Sequence, residues 1–327
     1  MAKLLVTGGA GYVGSHALRA VLRAGHRAVV VDDLRAGHAE AAEGAALVRL
    51  DVADRGGLAR AFAEHGPFDG VLHFAASASV AESVARPLDY YRNNVAASLA
   101  LLEVALANGV RAFVLSSTAA VYGSPEEQPI SEEAPLAPHN PYGASKAMVE
   151  RLLADAHAAH GLPWMALRYF NASGADPDGG LGERHDPESH LIPLALEAAA
   201  GLRPRFSLFG TDYPTPDGTC VRDYVHVCDL AEAHVCAVES LLAGGPPGAF
   251  NLGTGRGHSN REVLAAIERV TGRRVPVAPT GRRPGDPPVL VADASRFRAR
   301  FGWAPRLSDL DTIVATAWRW LRRWRGL

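Results

Sequence analysis

A tyrosine and a lysine stand four positions apart in the segment Tyr142-Gly143-Ala144-Ser145-Lys146. On a helix this spacing puts both side chains on one face, one turn apart. A free tyrosine has a pKa of about 10 and is a poor base near neutral pH. A neighbouring ammonium, or another positive charge, favours the phenolate and lowers that pKa. The pair therefore predicts proton-transfer chemistry.

The chain has 33 lysines and arginines, but the lysines are only Lys3 and Lys146. Such a bias to arginine indicates that most basic positions accept a guanidinium, whereas a compact ammonium beside a phenol is a specific requirement. The alternative is an ordinary pair on a helix surface. A third group favours chemistry: a short apolar run ends in Ser116-Ser117-Thr118, which places hydroxyls at the end of a predicted strand. Strand-end capping is the alternative for Thr118 alone.

The elements that must position these groups follow a repeating pattern. Short apolar runs alternate with amphipathic helical patterns from residue 4 to residue 168, which is typical of a parallel, doubly wound α/β sheet of the Rossmann type. The predicted strands of this part are residues 4–6, 28–31, 46–50, 71–74, 112–115 and 164–168. The predicted helices of the whole chain are residues 13–24, 88–108, 142–160, 191–200, 230–242, 261–271 and 309–325.

The first strand leads into Gly9-x-Gly11-x-x-Gly14 and then an apolar helix, the context in which such glycines bind a pyrophosphate. The next strand ends in Asp32, where a carboxylate accepts bonds from ribose hydroxyls and repels a 2′-phosphate. This combination predicts NAD rather than NADP. Arg35 is interpreted as a solvated loop cation. Asp51 and Val52 are expected beside the adenine ring, with helix capping as the alternative for Asp51.

Composition excludes several classes of protein. The formal net charge is -2 and the charged fraction 21%, so nothing favours nucleic acid or an anionic membrane as a partner. The three cysteines fit neither a zinc site nor a disulfide framework. Without a run of 18 apolar residues or room for a signal peptide before the glycine turn, the sequence predicts a cytoplasmic protein.

Loop-rich composition after Asn171 indicates a second lobe. We predict a nucleotide domain of residues 1–175 with a return segment at 224–255. A substrate lobe would comprise residues 176–223 and 256–327 and would close over the carboxyl edge of the sheet.

Taken together, these motifs resemble the extended short-chain dehydrogenase/reductase family. Further stretches at residues 73–76, 87–94, 167–171, 209–213, 218–226 and 282–286 narrow the resemblance to its UDP-glucose 4-epimerase branch, over essentially the full chain. The resemblance implies a reversible 4-epimerisation of UDP-glucose and UDP-galactose with tightly bound NAD.

The resemblance also implies roles for three residues. Tyr142 would take the proton of the sugar 4-hydroxyl while hydride leaves C4, and the 4-keto sugar would rotate to present its other face before hydride returns. Thr118 would assist the proton transfer, and Lys146 would tune Tyr142 and hold the nicotinamide ribose.

The resemblance also implies the remaining contacts. Arg222 and Arg283 would bind the diphosphate, Phe209 would stack on uracil, and Asn171 and Asp286 would be polar contacts. The cofactor-binding residues implied are Gly8, Gly11, Tyr12, Val13, Gly14, Asp32, Asp51, Val52, Phe74, Ala75, Asn94, Ser116, Tyr142, Lys146 and Tyr169. The substrate-binding residues implied are Thr118, Asn171, His190, Leu191, Phe209, Arg222, Tyr224, Arg283, Asp286 and Leu290.

The chain departs from the family pattern at one place, and a second position bears on which sugars it accepts. Many members have a phosphate-contacting lysine where this chain reads Ala76-Ser77-Ala78-Ser79. Leu290 stands where the family has a large aromatic or a small residue, and its intermediate size suggests tolerance of UDP-GlcNAc and UDP-GalNAc. The acids and histidines of residues 182–190 lack regular ligand spacing, so we predict no metal site and expect a loop around the sugar nucleotide.

Related activities remain as alternatives. Ala119 and Ala120 after Thr118 argue against a 4,6-dehydratase or a decarboxylase, which need an acid/base group there. UDP-xylose and UDP-glucuronate 4-epimerases stay open, as does a non-catalytic NAD-dependent sensor. The helices at 88–108 and 142–160 resemble those of a homodimeric four-helix bundle, with simple cover of the sheet as the alternative.

Overall fold

The computed structural model describes residues 1–283 and 285–327. Most of its strands are short and parallel. They are β1 (Lys3–Thr7), β2 (Arg27–Asp32), β3 (Ala46–Arg49), β4 (Gly70–His73), β5 (Ala112–Thr118), β6 (Trp164–Tyr169), β7 (Asn171–Ser173), β8 (Phe206–Phe209), β9 (Val221–Arg222), β10 (Tyr224–His226), β11 (Gly248–Leu252), β12 (His258–Ser259), β13 (Val277–Thr280) and β14 (Val289–Leu290).

Helices, or in one case a 3-10 helix, separate the successive strands β1 to β6. The α-helices are α1 (Tyr12–Arg23), α2 (Arg55–His65), α3 (Val80–Ala85), α4 (Pro87–Tyr90), α5 (Ala97–Ala107), α6 (Pro141–His160), α7 (Leu191–Ala199), α8 (Val227–Leu242), α9 (Asn260–Thr271), α10 (Ser295–Phe301) and α11 (Leu310–Arg325). Two 3-10 helices span Ala39–Ala42 and Ala119–Tyr122, and a π-helical segment spans Tyr91–Ala96.

A seven-stranded sheet organises the fold, in the order β11, β6, β5, β4, β1, β2, β3. Every pair in it is parallel. Parallel neighbours end at the same edge, so Thr7, Asp32, His73, Thr118 and Tyr169 all lie along the carboxyl edge. This edge is where open α/β sheets bind ligands.

Both faces of the sheet are buried, which explains why its strands read as nearly continuous apolar runs. On one face, α1 and α8 pack with side chains such as Leu4, Val6 and Leu72. On the other face, α2, α5 and α6 pack with Leu5, Val71 and other apolar residues. The Rossmann-type, doubly wound α/β fold predicted from the sequence is confirmed.

A smaller layer stands at the carboxyl edge. Helices α7, α9 and α11 share their own apolar core. Strand β8 pairs with β13, β9 lies between β12 and β14, and β7 pairs with β10. The division into two lobes remains a prediction, and Phe297 and Trp303 from the C-terminal part pack into the core under the large sheet.

The helix expected at residues 88–108 is interrupted. It consists of α4, the π-helical segment and α5 in direct succession. The π-helical segment contains Asn94, which is buried and anchors the loop after β4, as described below. π-Helical turns occur often at functional sites, and the sequence pattern alone did not reveal this one.

Among the described residues, no helix is both long enough and apolar enough to cross a lipid bilayer.

Candidate active site

The turn between β1 and α1 requires glycine for steric reasons. Gly8 has a φ of 71°. A Cβ on Gly8 would lie 2.5 Å from the backbone nitrogen of Ala75, and one on Gly14 would lie 2.1 Å from the carbonyl oxygen of Gly8. Helix α1 begins at Tyr12, after Gly11, with no side-chain cap and no acidic residue in its first turn. Its first N–H groups are therefore available to an anion such as a pyrophosphate.

Asp32 lies at the end of β2, beside this turn. Its carboxylate accepts hydrogen bonds from the backbone nitrogens of Ala10 (3.0 Å) and Leu34 (2.9 Å), and burial raises its pKa. Arg35 is exposed and pairs with Asp33 and Asn93 instead of Asp32. The Asp32 carboxylate thus keeps its remaining lone pairs for a ligand at the strand end.

The other residues expected to bind the cofactor lie after β3, after β4 and at the start of α1. Asp51 is exposed and accepts a hydrogen bond from the nitrogen of Ala53 (2.8 Å), while Val52 is buried. The first residues after β4 are held against β1, because the nitrogens of Phe74 and Ala75 both donate to the carbonyl of Thr7. Val13 follows Tyr12 in the first turn of α1.

Asn94 was expected to contact the cofactor, but its side-chain amide is used inside the protein. The amide donates to the carbonyl of Ser77 and to the hydroxyl of Ser145, each at 3.0 Å, and accepts from the nitrogen of Ser77 at 2.8 Å. Asn94 therefore joins the loop after β4 to helix α6. A direct contact with the cofactor stays a prediction.

Thr118, Tyr142 and Lys146 are brought together at the end of β5. Thr118 is the last residue of β5, and Asn140 caps α6 by accepting from the nitrogen of Gly143 (2.9 Å). Lys146 is buried and donates to the carbonyl of Ser116 (2.9 Å). The hydroxyl of Ser116 in turn lies 2.6 Å from that of Tyr169. Helix α6 thus presents the Tyr142 face to the end of β5.

Burial dominates the electrostatics of this group. It raises the pKa of the Tyr142 phenol, and the nearby Thr118 hydroxyl opposes this only in part. Burial also lowers the pKa of Lys146 to about 8, against the charge of Glu150, which raises it. In this structure the desolvation of the buried phenolate outweighs its favourable contacts. The expected lowering of the pKa of Tyr142 by the ammonium together with a nicotinamide ring stays a prediction.

The expected substrate contacts come from three separate strands and a loop. Strand β9 carries Arg222, which pairs with Asp286 in a close ion pair, and its neighbour β14 carries Leu290 opposite Arg222. Phe209 ends β8, with the guanidinium of Arg283 4.0 Å from the centre of its ring. The motif that contains Arg283 and Asp286 includes Pro284, which lies outside the described residues.

The remaining expected contacts lie at the second small sheet and at α7. Asn171 and Tyr224 are direct partners across β7 and β10. His190 precedes α7, and its imidazole pairs with Glu183 and Glu188, whose charges raise its pKa to about 10. Leu191 begins α7 and packs against the core of the smaller layer.

A family model described as "NAD dependent epimerase/dehydratase family" matches residues 4–253 of the chain. The chain belongs to the NAD-dependent epimerase/dehydratase family.

Members of this family that are similar to this chain over nearly its full length are UDP-glucose 4-epimerases. The UDP-glucose 4-epimerase of Azospirillum brasilense is 54% identical over 321 residues, which cover 98% of this chain and 92% of the relative. The crystal structure of UDP-glucose 4-epimerase from Brucella ovis in complex with NAD has a TM-score of 0.94 at 49% identity, covering 97% of this chain and 98% of that one. The UDP-Glc/GlcNAc 4-epimerase of Campylobacter jejuni has a TM-score of 0.86 at 42% identity, covering 99% and 100%.

The resemblance stated from the sequence is therefore confirmed, and NAD is confirmed as the cofactor of this family member. The glycine turn and the uncapped start of α1 fit a pyrophosphate, and Asp32 fits an unphosphorylated ribose. The roles of individual residues stay predictions.

A buried network below the Tyr142 group was not expected from the sequence. Glu150, one turn after Lys146 on α6, forms a buried ion pair with Arg168 of β6 (2.6 Å) and accepts from the hydroxyl of Ser117 (2.5 Å). Arg168 also donates to the hydroxyl of Tyr122 (2.8 Å). The signal in the sequence was an arginine inside an apolar strand, at a position where a charge requires a buried partner.

The hydroxyls that replace the lysine of other members have local roles. The hydroxyl of Ser77 accepts from the side-chain amide of Asn93 (3.2 Å), and the hydroxyl of Ser79 caps α3 by accepting from the nitrogen of Glu82 (3.2 Å).

Proposed function

We propose that the protein interconverts UDP-glucose and UDP-galactose by epimerisation at C4 of the sugar. The observation that carries this proposal is the arrangement of Tyr142, Thr118 and Lys146 at the carboxyl edge of an NAD-binding sheet, in a chain whose close relatives are UDP-glucose 4-epimerases. NAD, when bound, supplies the hydride acceptor and donor for C4.

Tyr142 is the proposed acid/base group. As phenolate, it takes the proton of the 4-hydroxyl when the keto sugar forms. After the keto sugar has rotated and presents its other face, Tyr142 returns that proton to the 4-oxygen. Thr118 hydrogen-bonds the same oxygen and the phenol. Because burial raises the pKa of Tyr142, the positive charge of Lys146 is required nearby to stabilise the phenolate when it forms.

The diphosphate and the uracil are proposed to bind between the small sheets. Arg222 is buried and paired with Asp286, so its guanidinium is fixed in direction. Arg283 lies over Phe209, which leaves one ring face for stacking on the base. Asn171 and Tyr224 lie side by side on β7 and β10 and provide the polar edge toward the sugar.

The test is direct conversion. Purified protein is incubated with UDP-galactose, and UDP-glucose is measured by chromatography, next to Tyr142→Phe and the matched control Tyr91→Phe, which removes a hydroxyl used by none of the contacts above. Conversion by the wild type and the control, and its loss in Tyr142→Phe, is expected. Turnover only of UDP-xylose or UDP-glucuronate would assign the protein to those epimerases. No turnover of any UDP-sugar, with NAD bound, would favour a sensor.

Acceptance of N-acetylated sugars is part of the proposal. Leu290 packs against the small cluster formed by Val121, Tyr122 and Ile130, directly after Thr118, where its size sets the room beside the sugar. UDP-GlcNAc is expected to be a substrate, since the similar protein of Campylobacter jejuni is a UDP-Glc/GlcNAc 4-epimerase. Complete absence of turnover with UDP-GlcNAc, while UDP-galactose is converted, would contradict this part alone.

We further propose a cytoplasmic homodimer. Large apolar side chains are exposed on adjoining helices, namely Leu88 on α4, Leu99 on α5 and Met148 on α6. Burying them in a four-helix bundle is favourable, and the three free cysteines suit a reducing compartment. Sedimentation of the wild type should give a dimer, Leu99→Glu should weaken it, and Leu202→Glu, which changes an exposed leucine elsewhere, should not. A monomeric wild type would refute the dimer.

A further inference from the structure

Four side chains meet in the loop before α7, away from Tyr142. Glu183, His185, Glu188 and His190 each present one nitrogen or oxygen atom, and these four atoms all lie within 4.8 Å of one another. Their irregular spacing in the sequence predicted no metal site, and only the folded loop groups them. We call these four residues the His–Glu cluster.

The distances within the His–Glu cluster suit a small cation. Nδ1 of His190 lies 2.7 Å from Oε1 of Glu183 and 3.0 Å from Oε1 of Glu188. Nδ1 of His185 lies 3.2 Å from Oε1 of Glu183 and 3.8 Å from Oε2 of Glu188. Nitrogen and oxygen ligands at about 2.0–2.2 Å from a tetrahedral zinc ion are roughly 3.4 Å apart. The observed separations lie on both sides of that value.

One nitrogen of the cluster lacks a hydrogen bond. Nδ1 of His185 is shielded from solvent and has no hydrogen-bond partner among the described residues, because its geometry toward the nearby carboxylates is unsuitable. Leaving such an atom unpaired is unfavourable, and a bound cation would provide its partner. The carboxylates of Glu183 and Glu188 are 8% exposed, whereas the side chain of His190 is 53% exposed, so the polar atoms are enclosed but reachable from solvent.

The surroundings hold the cluster in place. The indole nitrogen of Trp320 on α11 donates to the carbonyl of Glu183 (2.8 Å), and the backbone nitrogens of Ser189 and His190 donate to Oε1 of Glu188 (2.7 and 2.8 Å). Such second contacts orient ligands around a metal. Two carboxylates also balance the charge of one divalent ion.

We propose that the His–Glu cluster binds one divalent transition-metal ion, with zinc as the best match to two imidazoles and two carboxylates in a compact site. The ring of His185 lies 6.3 Å from that of Tyr12 at the start of α1, and His190 immediately precedes α7. The ion therefore has a structural role: it fixes the loop that connects β7 with α7, beside the start of α1. This proposal is independent of the sugar that the protein converts.

The test measures zinc directly. Full-length protein is treated with a chelator, desalted and titrated with zinc chloride in competition with a chromophoric chelator. One zinc ion per chain is expected for the wild type. Loss of a residue that only orients a metal ligand weakens metal binding by about 10–100-fold. His185→Ala and the isosteric Glu183→Gln change proposed ligands themselves, so each should weaken binding by about 100-fold or more. His160→Ala, which removes an exposed imidazole at the end of α6, and Cys236→Ser are the matched controls and should bind as the wild type does.

A second measurement covers variants that are less stable. Zinc should raise the Tm of the wild type and of both controls, because it binds the folded protein, and should leave the Tm of His185→Ala and Glu183→Gln unchanged. Two results would overturn the proposal: no zinc bound by the wild type at equimolar concentration, or equal binding by the wild type and the two cluster variants. Either result would make the cluster a network of ion pairs.

Discussion

The substitution Glu150→Gln tests the buried network below the catalytic group. Glu150 and Arg168 have side chains that are 5% and 7% exposed, and Arg168 makes contacts of 2.6 Å and 3.1 Å with the Glu150 carboxylate. Glutamine keeps the shape but leaves the guanidinium buried without a counter-charge. Removing one partner of a buried ion pair costs about 3–5 kcal/mol of the free energy of unfolding. Total stability is typically about 5–15 kcal/mol, so the variant should fold but with a much lower urea midpoint.

The same substitution should change the pH dependence of turnover. Glu150 is the charge that opposes the effect of burial on Lys146, whose pKa is about 8. Without it, Lys146 loses its proton at lower pH, and the phenolate of Tyr142 loses its stabilising charge. The alkaline limb of the profile of kcat/KM against pH should therefore move to lower pH.

Equilibrium unfolding in urea and the pH profile of kcat/KM provide the measurements. The matched control is Glu103→Gln on α5, because Glu103 pairs with Arg55 at 3.2 Å on the surface, where both side chains are largely exposed. An exposed pair contributes about 0–1 kcal/mol. The double variant Glu150→Gln/Arg168→Met should recover part of the loss, since it removes the unpaired charge. A loss in Glu150→Gln no larger than in Glu103→Gln would refute the reasoning.

The other predictions concern the cofactor turn and Lys146. Gly14→Ala places a Cβ 2.1 Å from the carbonyl oxygen of Gly8 and should abolish copurifying NAD, measured after denaturation, whereas the helix variant Gly56→Ala should retain it. Asp32→Asn removes the charge that repels a 2′-phosphate, so NADP should compete better for the site; unchanged discrimination would contradict the role of Asp32. Lys146→Arg should lose most turnover but keep the fold. Near-normal activity of this variant would mean that Lys146 has only a structural role. The folded pKa of Lys146 is about 8, below the 10.5 of an unperturbed lysine, so the contribution of Lys146 to stability is unfavourable below pH 8 and improves as pH rises from about 8 to 10.5. Relative to Lys146→Met, the free energy of unfolding of the wild type should rise by about 3 kcal/mol over this range, and a flat difference would refute the lowered pKa.

Local rules were enough for the nucleotide-binding half. A glycine turn between strand and helix, and a carboxylate at the end of the next strand, depend on residues close in sequence, and their geometry follows from the backbone. The same holds for Tyr142 and Lys146, whose spacing on one helix sets their common face. Thr118 was placed with them because parallel strands end at one edge of a sheet.

Contacts between distant segments could not be predicted in this way. Asn94 lies in a π-helical segment, and its amide bonds to Ser77 and Ser145, which are 17 and 51 residues away in the sequence. The ion pair of Glu150 with Arg168 joins a helix and a strand, and no local pattern identifies its partners.

What the sequence determined by itself was the fold class, the cofactor, the family resemblance and the common face of Tyr142 and Lys146, since each depends on residue type at short spacing. What only the tertiary structure decided was the electrostatic balance and the grouping of side chains. The pKa of Tyr142 depends on how deeply the phenol is buried, and the His–Glu cluster exists only because its loop folds back on itself. Burial and long-range proximity are properties of the packed chain, and the free energy of a charge depends on both.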